Sequence, residues 1–132
     1  MSGIYFSYKD LKSLLDLNIA LAHRLNTLEV QTFALMHCDL SGIDTKVVKE
    51  FVKTVLRESD IATNYKDDYF FILPLTDKYG ATFVLEMIAE FFDREVSTAL
   101  VEYPKDADTA EAMIERLQRF SQSDLSFLDE FY

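Results

Sequence analysis

The sequence predicts an α+β domain in which a mixed sheet packs against helices. Two observations support this class. The 132 residues suit one domain, spanning 1–132, and a hydrophobic content of 49% is sufficient for a core without disulfides. Apolar residues also change along the chain between helical spacing and short compact runs, a pattern typical of helices interspersed with strands.

The first half of the chain is predicted to contain two helices and one strand. Residues 9–25 carry apolar side chains at helical spacing, so we expect an N-terminal helix there. The run 30–38 is compactly apolar and fits a buried strand. Residues 45–59 repeat apolar side chains three and four positions apart, which predicts an amphipathic helix.

The second half is predicted to contain a hairpin, two further helices and one further strand. Pro74 ends the hairpin, because proline cannot donate to a sheet ladder. Asp108 is the expected N-cap of the last helix. The expected hairpin strands are 61–65 and 69–73, the helices 77–92 and 109–120, and the remaining strand 96–101.

The order after the first helix is β-α-β-β-α-β, which predicts a ferredoxin-like, or palm, sheet with helices packed on it over residues 30–120. Phe83, Phe91 and Phe92 are expected in its core. The tail 121–132 is acidic and aromatic, and a strand, a docking segment and a frayed end are all open for it.

Charge and cysteine content exclude several functions. A net charge of −10 disfavours nonspecific nucleic-acid binding, which needs a basic face. The uncharged apolar runs are shorter than the ~20 residues of a membrane helix, so we expect no direct membrane insertion. Cys38 is alone, which favours a reducing, cytoplasmic location. His23 and His37 give no zinc-ligand spacing with it, so we expect no cofactor and interpret His37 as a core or surface histidine.

Two carboxylates are predicted to meet at one end of the sheet. Asp39 ends the first strand and Asp68 lies in the hairpin turn, so pairing of their strands would make them neighbours. Carboxylates from adjacent strand ends can hold Mg²⁺ on a triphosphate. The alternative is that Asp39 caps a helix and Asp68 shapes the turn.

A second pair of charged residues precedes the hairpin. Arg57 and Asp60 are three positions apart, a spacing that places them on one face of a helix end. An arginine fork binds phosphate oxygens or the Hoogsteen edge of guanine, and an aspartate accepts from a guanine N–H. The alternative is a local ion pair at a helix C-terminus, where a cation is favoured.

These features together resemble the GGDEF family of bacterial diguanylate cyclases. In that family Arg-x-x-Asp stands at the same offset before a Gly-Gly-Asp-Glu-Phe turn, where this chain has Lys66-Asp67-Asp68-Tyr69-Phe70. The segment 97–111 is similar to the family's Ser-x-Gly-x-Ala strand and the Tyr-Pro-x-Asp-x-Asp turn after it. In degenerate members of the family the Arg-x-x-Asp becomes a receptor site for cyclic di-GMP, and the chain is similar in this respect to the receptor-type GGDEF domain of the Pel exopolysaccharide regulator. The resemblance thus implies bacterial signalling, with biofilm formation as one setting.

The resemblance also implies what the chain has lost. Ser41 replaces the second aspartate of the family's Asp-x-Asp-x-Phe motif, and Tyr69 replaces the acidic residue before the turn's Phe. The glycine pair and the segment that reads the guanine base in the family are absent as well. We therefore predict that the chain is not an enzyme and that Asp39 and Asp68 are vestigial metal ligands.

Three functional hypotheses follow. The first is a catalytically inactive GGDEF-like domain that binds cyclic di-GMP through Arg57 and Asp60, the family's inhibitory site, and relays it to an unknown protein partner. Arg94 is the candidate for the further arginine that many members supply, since Phe91 stands at the matching position. The second is an interaction module without nucleotide binding that docks through its tail, and the third is a residual enzyme with Mg²⁺ at the two carboxylates. A homodimer is left open in all three.

Overall fold

The computed structural model describes residues 3–25 and 31–132, in which a five-stranded sheet separates two layers of helices. The strands are β1 (Ile4–Tyr5), β2 (Phe33–Asp39), β3 (Ile61–Tyr65), β4 (Asp68–Pro74) and β5 (Thr98–Tyr103). The helices are α1 (Leu11–Leu25), α2 (Thr45–Thr54), α3 (Lys78–Phe92) and α4 (Ala110–Phe120). Short 3-10 helices lie at Tyr8–Asp10 and Ser126–Phe131.

The sheet has the order β1-β3-β4-β2-β5. Its last four strands are antiparallel neighbours in the ferredoxin-like order, which confirms the predicted fold class. Strand β1 adds a parallel edge beside β3. Its two residues are too few to show a periodicity, and the sequence did not predict it.

Both faces of the sheet are buried, which explains the continuous apolar runs of β2 and β4. Phe70 and Ile72 face α1, α4 and the C-terminal 3-10 helix. Phe71 and Leu73 face α2 and α3 on the opposite side. Because side chains alternate along a strand, β4 supplies both cores at once and positions the hairpin between them.

The structure corrects several predicted boundaries. Helix α2 ends at Thr54 rather than at residue 59, and the last strand is Thr98–Tyr103 rather than 96–101. The N-cap of α4 is Thr109, whose side chain accepts from the Ala112 amide at 3.1 Å. The first strand begins at Phe33, and its predicted start at Val30 lies outside the described residues.

The tail is neither a strand nor frayed. It forms the 3-10 helix Ser126–Phe131 and buries Leu125 and Leu128 in the core beneath α1 and α4. Phe127 stacks on Tyr65 with ring centroids 4.3 Å apart. The tail therefore completes the core rather than projecting from it.

Helix α3 departs most from the sequence-based expectation. Phe83 and Phe91 are exposed, so their prediction as core residues is wrong, whereas Phe92 is partly buried against the core. Apolar residues occur all round this helix, and its pattern therefore does not identify the buried face.

None of the helices in residues 3–25 and 31–132 is long and apolar enough to cross a membrane.

A candidate ligand cleft beside the hairpin

Arg57 and Asp60 lie in a turn between α2 and β3. The prediction placed them on a helix end, but α2 has already ended at Thr54. The turn is closed by two hydrogen bonds, from the Asp60 amide to the Arg57 carbonyl at 2.9 Å and from the Arg57 amide to Asp60 Oδ2 at 2.9 Å. The side chains converge because these two hydrogen bonds close the turn, and not because of helical spacing.

The guanidinium of Arg57 is held in one orientation. Its Nη2 donates to Asp60 Oδ1 at 2.9 Å and its Nε donates to Oδ2 at 3.3 Å, which is the planar two-point contact that arginine makes with carboxylates. Nη2 also lies within hydrogen-bonding distance of the Pro74 carbonyl (2.9 Å) and of Thr76 Oγ1 (2.8 Å). Among the described residues Nη1 has no hydrogen-bond partner, and the Arg57 side chain is 47% exposed.

Asp60 is the buried member of this pair, with 2% of its surface exposed. Its two oxygens accept three hydrogen bonds, all from Arg57. A buried carboxylate without such partners would be costly, so the pair is consistent with a structural role for Asp60. That geometry leaves Arg57 as the member that faces solvent.

A cleft of about 420 Å³ opens beside this pair. The turn after α2 forms one wall, and the segment from β4 into the first turns of α3 forms the other. Leu75 adopts a left-handed backbone conformation with φ 55°, which turns the chain between Pro74 and Thr76. The lining residues are Thr32, Val55, Leu56, Arg57, Asp60, Leu75, Thr76, Asp77, Gly80, Val84 and Met87.

The start of α3 shapes this second wall of the cleft. Asp77 caps the helix by accepting from the Gly80 amide at 2.7 Å. A Cβ on Gly80 would lie 3.2 Å from Thr76 Cγ2 and 3.3 Å from Asp77 Oδ1, so glycine permits this close approach. Thr76, which contacts the Arg57 guanidinium, is held by the same packing.

Asp39 and Asp68 are paired in register across β2 and β4, as the sequence predicted. Their carboxylates nevertheless bind different partners. Asp39 Oδ1 accepts from the amide of Ser41 at 3.0 Å and from its hydroxyl. Asp68 Oδ1 accepts from Nε2 of His37 at 2.8 Å. Within the described part of the chain, no three His, Cys, Asp or Glu side chains are grouped to hold a metal ion.

The hydrogen bonds from Ser41, first its hydroxyl and then its amide, hold the pKa of Asp39 below the ordinary value. Asp39 therefore closes a local turn, and the cap of α2 is Asp44.

In the hairpin, Lys66 adopts φ 53°, a left-handed conformation that glycine tolerates best. Lys66 therefore adopts the backbone conformation that glycine would adopt in such a turn, although it carries a side chain.

Sequence reasoning missed four contacts. Pro74 and Thr76 bind the Arg57 guanidinium from 17 and 19 positions away, and no local pattern indicates such a contact. His37 is completely buried and pairs with Asp68, which the spacing alone did not suggest. Arg94 donates to the Ser41 carbonyl at 2.9 Å, beside Asp39, and it does not line the cleft at Arg57.

No protein-family model matches the sequence, and no curated protein matches it. Solved structures do match the fold. The GGDEF domain of YfiN (also called TpbB) from Pseudomonas aeruginosa has a TM-score of 0.67 at 16% identity, covering 86% of each chain. A truncated variant comprising only that domain has a TM-score of 0.69 at 19% identity, covering 85% of this chain and 79% of that one.

A sensory box/GGDEF family protein from Caulobacter crescentus is also similar. Its TM-score is 0.61 at 13% identity, and the match covers 96% of this chain and 94% of that one. These neighbours correct the prediction that the chain is not an enzyme, because GGDEF domains are a diguanylate cyclase family and no described feature shows this chain to be inactive. The likeness establishes the fold, and this chain has the GGDEF-like fold.

Proposed function

We propose that this domain binds cyclic di-GMP at Arg57 and relays the presence of the nucleotide to a protein partner. The observation that carries the proposal is the fixed guanidinium of Arg57, half-exposed in a cleft and oriented by the buried Asp60. An ordered guanidinium loses less conformational freedom on binding than a mobile one, so its affinity for the ligand is higher.

The unpaired Nη1 supplies the chemistry. Its N–H groups can donate to O6 or N7 of guanine or to a phosphate oxygen. Cyclic di-GMP presents both kinds of acceptor. A lysine at the same position would offer a point charge without this planar geometry.

Asp60 contributes by holding Arg57 rather than by forming a large part of the contact surface. All three hydrogen bonds that its carboxylate accepts come from Arg57, and its surface is almost fully buried. We therefore assign Asp60 a positioning role. Its carboxylate can accept from a guanine N–H only through the lone pairs that do not bind Arg57.

The size of the cleft agrees with one end of the ligand entering it, and its lining holds Arg57 beside two carboxylates, Asp60 and Asp77. At about 420 Å³ the cleft is at the small end of ligand sites, so the remainder of cyclic di-GMP would lie over its rim. Arg57 is the cation among the lining residues of a domain whose net charge is −10. Few cations take part, so we expect the affinity to fall only modestly with added salt.

Titration calorimetry with cyclic di-GMP tests the proposal, with GTP and Mg²⁺ titrated in parallel. We expect the wild type to bind cyclic di-GMP and Arg57→Ala to lose most of the affinity. Arg94→Ala is the matched control, because that guanidinium contacts Ser41 outside the cleft. The proposal fails if the wild type shows no heat at high-micromolar ligand, or if Arg57→Ala and Arg94→Ala bind equally well.

The alternative is an interaction module without nucleotide binding. A specific observation favours a protein partner in either case: a row of apolar side chains is exposed on α3, whereas the tail that the sequence suggested for docking is packed into the core. The same calorimetry separates the two functions, since only the first requires the nucleotide.

A further inference from the structure

Helix α3 exposes a continuous apolar row. Tyr79, Phe83, Met87 and Phe91 are spaced four residues apart, which places them along one side of the helix. We call these four residues the α3 ridge. Their exposed fractions run from 37% at Phe91 to 73% at Tyr79. Large contiguous apolar patches are uncommon on monomers and mark interaction sites.

The charged side chains within the ridge segment are negative, and Lys78 and Arg94 lie just outside it. Glu86 and Glu90 are exposed on the same side of α3, and Asp93 follows the helix. No lysine or arginine occurs from Tyr79 to Asp93. Among the described residues, none of these three carboxylates forms an ion pair. Their charges are therefore available to a partner.

A groove at the C-terminal end of the ridge combines both properties. Its lining consists of Val55, Met87, Glu90 and Phe91 around a volume of about 350 Å³. A long side chain with an apolar stem and a cationic head fits such a groove, since the stem can pack on Val55 and Met87 while the head reaches Glu90.

We infer that the α3 ridge docks an amphipathic helix that carries lysine or arginine beside its apolar face. The ridge spans 12 residue steps, or ~18 Å at ~1.5 Å per residue, which matches three to four turns of a partner helix, about 12–14 residues. A second copy of this chain is disfavoured, because two ridges facing each other would bring Glu86 and Glu90 against like charges.

This inference rests on the proposed function only in giving the domain a protein partner, and it does not require a nucleotide. The two sites are nevertheless contiguous. Val55 and Met87 line both the Arg57 cleft and the groove. A ligand in the cleft would therefore touch side chains that also contact the docked helix. These shared side chains connect nucleotide binding physically with partner binding.

Fluorescence anisotropy with designed peptides tests the inference without nucleotide. One labelled amphipathic helix of about 14 residues carries leucine and lysine, and its counterpart has glutamate at each lysine position. We expect the lysine peptide to bind and the glutamate peptide not to bind. The double reversal Glu86→Lys with Glu90→Lys should weaken the lysine peptide at least about tenfold and allow the glutamate peptide to bind.

The matched control is a double reversal on another surface, Asp10→Lys with Asp16→Lys. Both of these residues are exposed near α1, so the net charge changes equally while the ridge is untouched. The control should leave the affinity for the lysine peptide within about threefold, the change expected from long-range charge alone. Phe83→Ser removes an exposed ridge side chain and should weaken the peptide without lowering the thermal midpoint.

Three results would overturn the inference. The first is that a folded wild type does not bind the lysine peptide. The second is that both charge reversals weaken peptide binding equally, which would indicate a nonspecific electrostatic attraction. The third is a wild-type dimer in sedimentation that Phe83→Ser dissociates, which would show that a second copy covers the ridge. None of these outcomes depends on cyclic di-GMP, so failure here leaves the calorimetric test of Arg57 unaffected.

Discussion

The two charged pairs around the hairpin differ in what holds them. At the Arg57 cleft, the two side chains bind each other, and the carboxylate of the buried Asp60 accepts all three of its hydrogen bonds from Arg57. At the opposite end of β4, Asp39 and Asp68 are register partners, but one binds Ser41 and the other binds His37. Proximity of backbone positions is therefore not sufficient to make a site.

The difference follows from the local partners. Arg57 and Asp60 lie in one turn and complement each other in charge, so folding of the turn brings the pair together. Asp39 and Asp68 carry like charges, and each is stabilised by a nearby donor instead. The first pair presents an ordered donor to solvent, whereas the second has its carboxylates engaged within the protein.

The largest expected effect is on ligand affinity at the first pair. Arg57→Ala should weaken cyclic di-GMP binding by about 2–4 kcal/mol, the range for losing a charge-assisted contact whose partner is left unpaired. Arg57→Lys should restore little, because an ammonium cannot make the planar two-point contact with Asp60 that orients the cationic group in the cleft. Calorimetry of the three proteins measures this directly. An affinity fully restored by lysine would show that charge, rather than geometry, is recognised.

The next effect is on stability at the same pair. Asp60→Ala should lower the free energy of unfolding by about 1–3 kcal/mol, because the Arg57 amide loses the acceptor that closes the turn. The Arg57 side chain is half-exposed, so the ion pair itself adds little to this value. Urea unfolding measures the change. Asp67→Ala, at an exposed side chain of the hairpin turn, is the control and should stay within about 0.5 kcal/mol of the wild type.

A smaller effect is expected from the second pair. Replacing Asp39 and Asp68 together with Asn should leave the affinity for cyclic di-GMP within about threefold, or less than ~1 kcal/mol. The reason is that neither carboxylate lines the Arg57 cleft. Calorimetry on the folded double variant provides the check. A loss as large as that of Arg57→Ala would place the ligand at the wrong end of the hairpin.

The smallest effect concerns the titration of Asp39. Its pKa is held below the ordinary value, so the ionised form stabilises the fold above the unfolded-state pKa, and this contribution is lost as pH falls through the folded-state pKa. Ser41→Ala removes the hydroxyl that contributes most, and the pKa of Asp39 should rise towards its ordinary value. A carboxyl NMR titration of both proteins measures it. An unchanged pKa would show that the Ser41 hydroxyl is not the cause.

Much of the fold could be predicted from the sequence, because β2, β4 and the hairpin combine strong apolar runs with a clear stop at Pro74. The edge strand β1 could not, since two residues carry no pattern. Helix α3 was located correctly, but its apolar residues on every side concealed which of them would be exposed. Packing against α2, which only the folded chain reveals, decides that Phe92 turns inward and Phe83 outward.

The candidate site was predictable only in part. The spacing of Arg57 and Asp60 indicated that they meet, but it gave a helix where the structure has a turn. The contacts of Arg57 with Pro74 and Thr76 depend on how β4 enters α3 and have no signal in the local sequence. Likewise, the register of Asp39 and Asp68 was predictable, whereas their separate partners were not.

The most direct test of where the ligand binds is an amide NMR titration of the ¹⁵N-labelled protein with cyclic di-GMP. If the Arg57 cleft is the site, the largest shifts occur at Arg57, Thr76 and Gly80, and the arginine Nε–H signal of Arg57 moves with them. The amides of Ser41 and Asp68, at the far end of the hairpin, should remain nearly unchanged. Shifts concentrated at Ser41 and Asp68, with Arg57 unaffected, would contradict the assignment of the cleft.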